Sequence, residues 1–276
     1  MILIERRIAN LARYRKVYLP SEAQLAELVD DLRPFDLLRA FWPTAIVSNR
    51  IRPVIQGQAR TTFVDLSKDL DAIFAGMHGS CRYKIRRAEK MRDRFEIAMN
   101  TDVARDDFLP FYNDFARKKG NLPQLRCRRF NELAPHADIF MLYFEGRPTC
   151  GRMVLRDQES RTVLMLYSAT TRLNEDADTI TTGLLNRYLY WHEMKTYHVL
   201  GMKKYDFAGA GDNHPSLAQF KLSFGGGLSW FSYCLYAGTA PIFWKVAHSL
   251  YRFEQDRRLH GVTARQRKSI LEVAIS

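Results

Sequence analysis

Two segments of the chain carry the residue types that joining an acyl group to an amine would require. Between Arg82 and Arg94, seven basic residues crowd one predicted helix. Arg82 and Arg86 stand four apart on one face, so Arg82, Lys84, Arg86 and Arg87 can act as a bidentate clamp for a phosphate; a solvated basic face is the plain alternative. Further on, KYDF puts Asp206 at a strand end, where a carboxylate can take a proton from an amine, hold its ammonium, or simply close a turn. Lys221, in QFKLSFGG, can neutralise a phosphate or support a developing oxyanion, or stand as an exposed helix lysine. Amide formation needs a deprotonated amine, a donor held by its phosphates and hydrogen-bond donors aimed at the oxyanion, and the chain can supply each.

The elements that must position these residues follow from periodicity. Residues 1–59 read as an N-terminal helical and irregular elaboration, with Leu25, Leu28, Val29 and Leu32 at helical spacing. RTTFVDLS reads as a strand, and Ser67 as the cap of a helix bearing Leu70, Ile73, Phe74 and Met77. The basic helix begins after Gly79, FEIAMN is a short strand, and residues 104–118 form a helix with Phe108, Phe111, Tyr112 and Phe115 on its apolar side. The loop from Gly120 to Arg128 is a candidate lid. DIFMLYF, TCGRMVLR and RTVLMLYSATT form a three-strand meander, a long helix starts near Thr179, and KYDFAG is the next strand. Pro215 opens a short helix, the glycine triplet releases the chain into LSWFSYCLY, and an amphipathic helix and tail fill 241–276. The pattern predicts an α/β (α+β) fold over 60–240: a mixed, mainly antiparallel sheet with helices on both faces.

Bulk properties narrow the class. A 276-residue chain with 46% hydrophobic residues can bury a sizeable core, and a formal charge of +12 favours anionic partners. Cys81, Cys127, Cys150 and Cys234 are scattered without paired spacing, which suggests a reducing compartment, and the N-terminus has no secretory apolar run. The uncharged stretch from Leu222 to Trp244 is long enough to span a bilayer, but its glycines, Pro241 and aromatic centre read better as a strand between turns. His192, Glu193 and His198 lack the spacing of a zinc-binding pair, so no metal is expected. GAGD at 209–212 reads as a turn rather than a nucleotide loop.

LSKDLDAIFAGMHGSCRYKIRRAEK, the meander and YDFAGAGDNHPSLAQFKLSFGG resemble the Fem-type peptidoglycan aminoacyltransferases and the BioF2-like acetyltransferases, over roughly residues 60–236. That resemblance implies a GNAT-like fold, no metal, and transfer of an acyl or aminoacyl group to a primary amine on a cell-wall or surface-polysaccharide precursor. It implies a functional role for Lys221 and, for Tyr167, either proton donation to the leaving group or a place in the core; with Asp206 these are the expected catalytic residues, and Phe220 is expected to contact substrate. It also implies a pyrophosphate seat on the helix start at Thr181, Thr182 and Gly183. Against that seat, Glu175, Asp176 and Asp178 crowd the entrance, and the basic glycine-rich acetyl-CoA loop is missing. The expected donor is acyl-CoA, with acyl carrier protein or aminoacyl-tRNA as alternatives. The acceptor is an anionic small-molecule or lipid-linked amine, no DNA is expected, and the location is the cytoplasm or the inner face of the membrane. The rival readings are a non-catalytic RNA-binding protein and a peripheral membrane scaffold using the final helix.

Overall fold

The computed structural model describes residues 1–8, 12–47, 51–210 and 215–238. The predicted C-terminal amphipathic helix lies outside them, as do Gly211 and Asp212 of the GAGD turn. Within them, ten strands form one sheet.

The first surprise is the N-terminal region. Ile2–Ile8 (β1) and Ala12–Tyr18 (β2) pair as an antiparallel hairpin, and Glu22–Asp30 (α1) crosses over to Leu37–Phe41 (β3), which runs parallel to β2. The helical spacing of Leu25, Leu28 and Val29 belongs to α1 alone, whose N-terminus is closed by a capping box of Ser21 and Gln24. The sequence pattern hides these strands because their charged residues are structural. Arg15 is only 2% exposed, and Arg13 and Arg15 both pair with Asp31 and Asp36. A strand that buries paired arginines shows no hydrophobic alternation.

Ile55–Asp65 (β4) starts before the boundary expected at residue 60 and leads to Leu70–Gly76 (α2) and Gly79–Glu89 (α3). Asp69 caps α2 by accepting from the Ala72 amide, whereas Ser67 bonds to Asp65 through both its amide and its hydroxyl. Asp69 wins the cap because its carboxylate sits one residue before the helix, with full charge toward the helix dipole. Phe95–Met99 (β5), Asp102–Lys119 (α4) and Cys127–Leu133 (α5) precede the meander Ala137–Phe144 (β6), Arg147–Asp157 (β7) and Thr162–Thr170 (β8). Thr179–Val199 (α6), Lys204–Asp206 (β9), Pro215–Leu222 (α7) and Gly227–Ala237 (β10) follow. The strand order is β1-β2-β3-β10-β4-β9-β8-β7-β6-β5, antiparallel except for the β2–β3 and β8–β9 pairs.

Helices cover both faces. On one, α3 and α6 bury Ile85, Ala88, Leu185, Leu189 and Met194 against Phe140, Val154, Tyr205 and Phe207. On the other, α4 buries Phe108, Tyr112 and Ala116 against Ile139, Met141, Met153 and Leu164. The Gly120–Arg128 segment, expected as a lid, is pinned there. Asn113 bonds both the amide and the carbonyl of Leu125, Leu125 is buried, and Tyr112 donates to the Pro123 carbonyl.

Candidate active site

The site grows out of the short strand β9. It pairs in parallel with β8 only from Thr162 facing Lys204 to Leu164 facing Asp206. Beyond Asp206 the chain stays with β4, the Phe207 amide donating to the Thr62 carbonyl and the Ala210 amide to the Arg60 carbonyl. Strand β8 instead stays with β7 out to Thr170. The two parallel strands therefore diverge, and Met165–Thr170 line one wall of a fork. Where they part, the β7–β8 register shifts: Met153 faces Tyr167 while Val154 faces Met165, leaving Leu166 as an extra residue. A bulge of this kind removes one residue from the ladder and re-aims its neighbours.

The other wall is the turn after Asp206, and it is heavily strapped. Asp206 is fully buried; its Oδ1 accepts from the Thr61 hydroxyl and, at 2.9 Å, from the Ala208 amide, closing an Asx turn. Its Oδ2 has no hydrogen-bond donor, but the Lys204 ammonium lies 3.2 Å away. Ala208 and Gly209 take positive φ values of 56° and 120°, and for Ala208 that is a strained conformation. The strain is held by Thr61, whose hydroxyl accepts from the Gly209 amide at 3.0 Å, and by Lys221. The Lys221 ammonium, on α7 and only 6% exposed, donates to the carbonyls of Phe207 (3.0 Å) and Gly209 (2.7 Å). Burial lowers Lys221 to about 8, against the opposing pull of Asp206.

The FGG part of the motif fixes this geometry by close approach. A Cβ on Gly226 would lie 2.1 Å from the Phe63 carbonyl oxygen, and one on Gly225 2.4 Å from that of Gly76. Only glycine lets the end of α7 pass so near β4 and α2.

The remaining candidates fall in different places. Tyr167 stands on the β8 wall, partly buried and edge-on to Tyr112 at 5.0 Å. Phe220 packs against Phe224 and Tyr190 behind Lys221. Arg82 does not share a clamp with Arg86, because its guanidinium is spent on the carbonyls of Ala75 and Met77 at the end of α2. Arg86 lies over Phe74 and Arg87 over Tyr83, both arginines exposed, and Lys84 is half-buried.

The seat expected at Thr181, Thr182 and Gly183 is closed. The Asp178 carboxylate accepts from the amides of Ile180 (2.9 Å) and Thr181 (3.0 Å), and the Thr182 amide donates to the Asp178 carbonyl. The helix start already holds a negative charge and offers none of these amides to a pyrophosphate.

Sequence reasoning missed a buried network behind β9. Arg152 of β7 and Glu193 of α6 are both fully buried and bond at 2.6 Å, and the Tyr205 hydroxyl donates to the other Glu193 oxygen. Arg152 also donates to the Asn186 carbonyl at 2.9 Å and stacks on Tyr190 at 3.4 Å. Burial pushes Glu193 up, and although burial alone would lower Arg152, Glu193 holds it above its ordinary value. The signal was legible in principle: a lone arginine inside the apolar strand TCGRMVLR demands a buried partner. Among the described residues no group of His, Cys, Asp and Glu is arranged to hold a metal ion, and no helix is long and apolar enough to cross a membrane.

No protein-family model and no curated protein matches the sequence. Solved structures match the fold at low identity. FemX aligns with a TM-score of 0.59 and 12% identity, over 87% of this chain and 85% of its own. A C-terminal domain assigned to a lysylphosphatidylglycerol synthetase of Agrobacterium fabrum aligns with a TM-score of 0.53 and 12% identity, over 90% and 83%. A conserved protein of unknown function from Bacteroides thetaiotaomicron aligns with a TM-score of 0.50 and 12% identity, over 84% and 82%. With its forked sheet and flanking helices, the chain shares its fold with FemX and with that synthetase domain.

Proposed function

We propose that the chain transfers an acyl or aminoacyl group from an activated, phosphate-bearing donor to a primary amine on a cell-envelope precursor. The observation that carries this reading is the fork. The parting of β8 and β9 opens the sheet beside a bulge at Leu166, where a main-chain amide released from the ladder can support the oxyanion of an acyl-transfer intermediate. The names of two fold neighbours, FemX and the lysylphosphatidylglycerol synthetase domain, agree with an aminoacyl or acyl transfer at the cell envelope.

In this reading the amine nitrogen attacks the donor carbonyl carbon, the bond from that carbon to the leaving sulfur or oxygen breaks, and the Tyr167 hydroxyl hands its proton to the leaving group. The proton lost by the nitrogen restores the tyrosine. Asp206 and Lys221 are positioning residues: their polar atoms hold the Phe207–Gly209 turn, and neither is exposed enough to meet a substrate directly. Closure of the α6 start by Asp178 argues that donor phosphates rest on cationic side chains, whether the donor is acyl-CoA, an acyl carrier protein or an aminoacyl-tRNA.

The test is mass-spectrometric detection of amide product after incubating the full chain with acyl-CoAs, acyl carrier protein or aminoacyl-tRNAs and a panel of amino-sugar and aminoacyl-lipid acceptors. A donor-dependent mass gain on an amine supports the proposal. Hydrolysis or silence across all donors refutes it.

A further inference from the structure

We infer that Lys119, at the end of α4, is a substrate-binding residue at the mouth of the fork, where its ammonium receives a phosphate carried by one of the two reactants. Calling that phosphate a reactant's group rests on the transferase reading, whereas the place of the cation rests on the geometry below.

Two contacts fix the course of α4. Tyr112 meets Tyr167 of β8 edge-on at 5.0 Å, and further along the helix Lys118 donates to the Asn174 side chain at 2.7 Å, just past the end of β8. Helix and strand therefore run side by side in the same direction, and the last two turns of α4 follow the Met165–Thr170 wall of the fork from Tyr167 to its mouth. This is the sheet face that α4 covers, opposite the one covered by α6. Lys119 falls on the helical stripe of Tyr112 and Phe115, the side turned to β8, and its ammonium lies 5.6 Å from the centre of the Phe115 ring. Two turns of helix separate it from Tyr112, so it stands about 10 Å along the wall from the Tyr167 contact.

Three cations close α4, and Lys119 differs from the other two. Arg117 and Lys118 both pair with Asp114, Lys118 at 2.6 Å. Among the described residues no carboxylate pairs with Lys119; Glu175 and Asp176, the next acidic residues past Asn174, are exposed and form no ion pair with it. The lysine as a whole is exposed, but its head, tucked against the Phe115 ring, is partly desolvated and lies below its ordinary pKa. Its charge is also felt by Lys221, which straps the other wall. Lys221 is buried and committed to the Phe207 and Gly209 carbonyls, whereas Lys119 can be reached from solvent. The dipole at the helix C-terminus explains a basic residue there, not one turned toward β8. A partly desolvated ammonium without a counter-ion regains its lost hydration from an oxyanion, through a charge-assisted hydrogen bond.

Isothermal titration of the full chain with CoA and with UDP-glucosamine at constant ionic strength tests the inference. One of the two is expected to bind alike to the wild type, to Lys119→Arg and to Arg117→Gln, which removes a charge from the same turn. Lys119→Gln should bind it about tenfold more weakly or worse, the loss of one charge-assisted hydrogen bond. Lys119 is exposed, so thermal melts of these variants should match the wild type. Dependence on Lys119 with CoA marks a donor phosphate, and with UDP-glucosamine an acceptor phosphate. Equal affinity in Lys119→Gln and Arg117→Gln, or binding of neither ligand by the wild type, overturns the inference. Lys119-dependent binding without any amide product leaves the site standing and removes the transferase reading, while amide product formed by Lys119→Gln with both KM values unaltered does the reverse.

Discussion

The Lys221 ammonium lies 2.7 Å from the main-chain oxygen of Gly209, inside the protein and at the tip of the turn that forms one wall of the fork. A charged amine on a short α7 helix thus does the work of a strand neighbour for a segment that has left β8. Its first bond goes to an otherwise strained Ala208–Gly209 turn, so the lysine and the turn depend on each other.

Stability should report this lysine through pH. Lys221 is lowered to about 8 in the folded chain by burial, so between about 8 and the ordinary value of 10.5 the unfolded chain binds the extra proton and folding gains stability as pH rises. Below 8 the buried ammonium costs up to about 3 kcal/mol relative to an unburied one. Urea denaturation at pH 7.5 and pH 10 should show the wild type gaining on Lys221→Met as pH increases. A difference that does not change with pH would contradict the burial argument.

Breaking the Arg152–Glu193 pair should be expensive. Arg152→Met leaves the Glu193 carboxylate buried with only Tyr205, and Glu193→Gln weakens the hold on both Arg152 and Tyr205. A loss of about 3–5 kcal/mol is expected for Arg152→Met, and the double variant Arg152→Met/Glu193→Gln should recover part of it. A double-mutant cycle by urea denaturation measures this, and strictly additive losses would show that the two side chains do not act as a pair.

Glycine substitutions separate packing from ligand contact. Gly226→Ala puts a methyl 2.1 Å from the Phe63 oxygen and should lower stability by 2 kcal/mol or more, on the order of an overpacked site. Gly183 has open space where its Cβ would go, so Gly183→Ala should fold at least as well as the wild type, with a gain of roughly 0.5–1 kcal/mol for a half-buried helical position with room for a methyl. Because Asp178 closes the amides there, Gly183→Ala should also retain its donor affinity. Thermal melts and donor titrations of the two variants check both halves.

How much of this was legible in the sequence follows from how local each signal is. The meander, the α6 stripe and the QFKLSFGG motif were readable because alternation, helical spacing and glycine punctuation are local properties. The N-terminal strands were not, since Arg13 and Arg15 occupy them and only Asp31 and Asp36, folded back from α1 and its exit, make those arginines acceptable. The basic helix drew attention to Arg82, whose real partners are two backbone carbonyls on α2. Glu193, beside His192 and five residues before His198, serves Arg152, and His198 Nδ1 lies 3.0 Å from the Leu66 carbonyl. The loop at 120–128 looked free because nothing in its own sequence announces that Asn113 holds it.

If acyl transfer takes place in the fork with Tyr167 serving the leaving group, Tyr167→Phe isolates that step. Phenylalanine keeps the edge contact with Tyr112, so the fold should be unchanged by thermal melt. With any donor and amine that the wild type joins, steady-state kinetics should show kcat reduced about 100-fold with KM little altered, the size expected for loss of a general acid. A Tyr167→Phe variant that turns over at the wild-type rate would rule out Tyr167 as the proton donor and move the chemistry elsewhere in the fold.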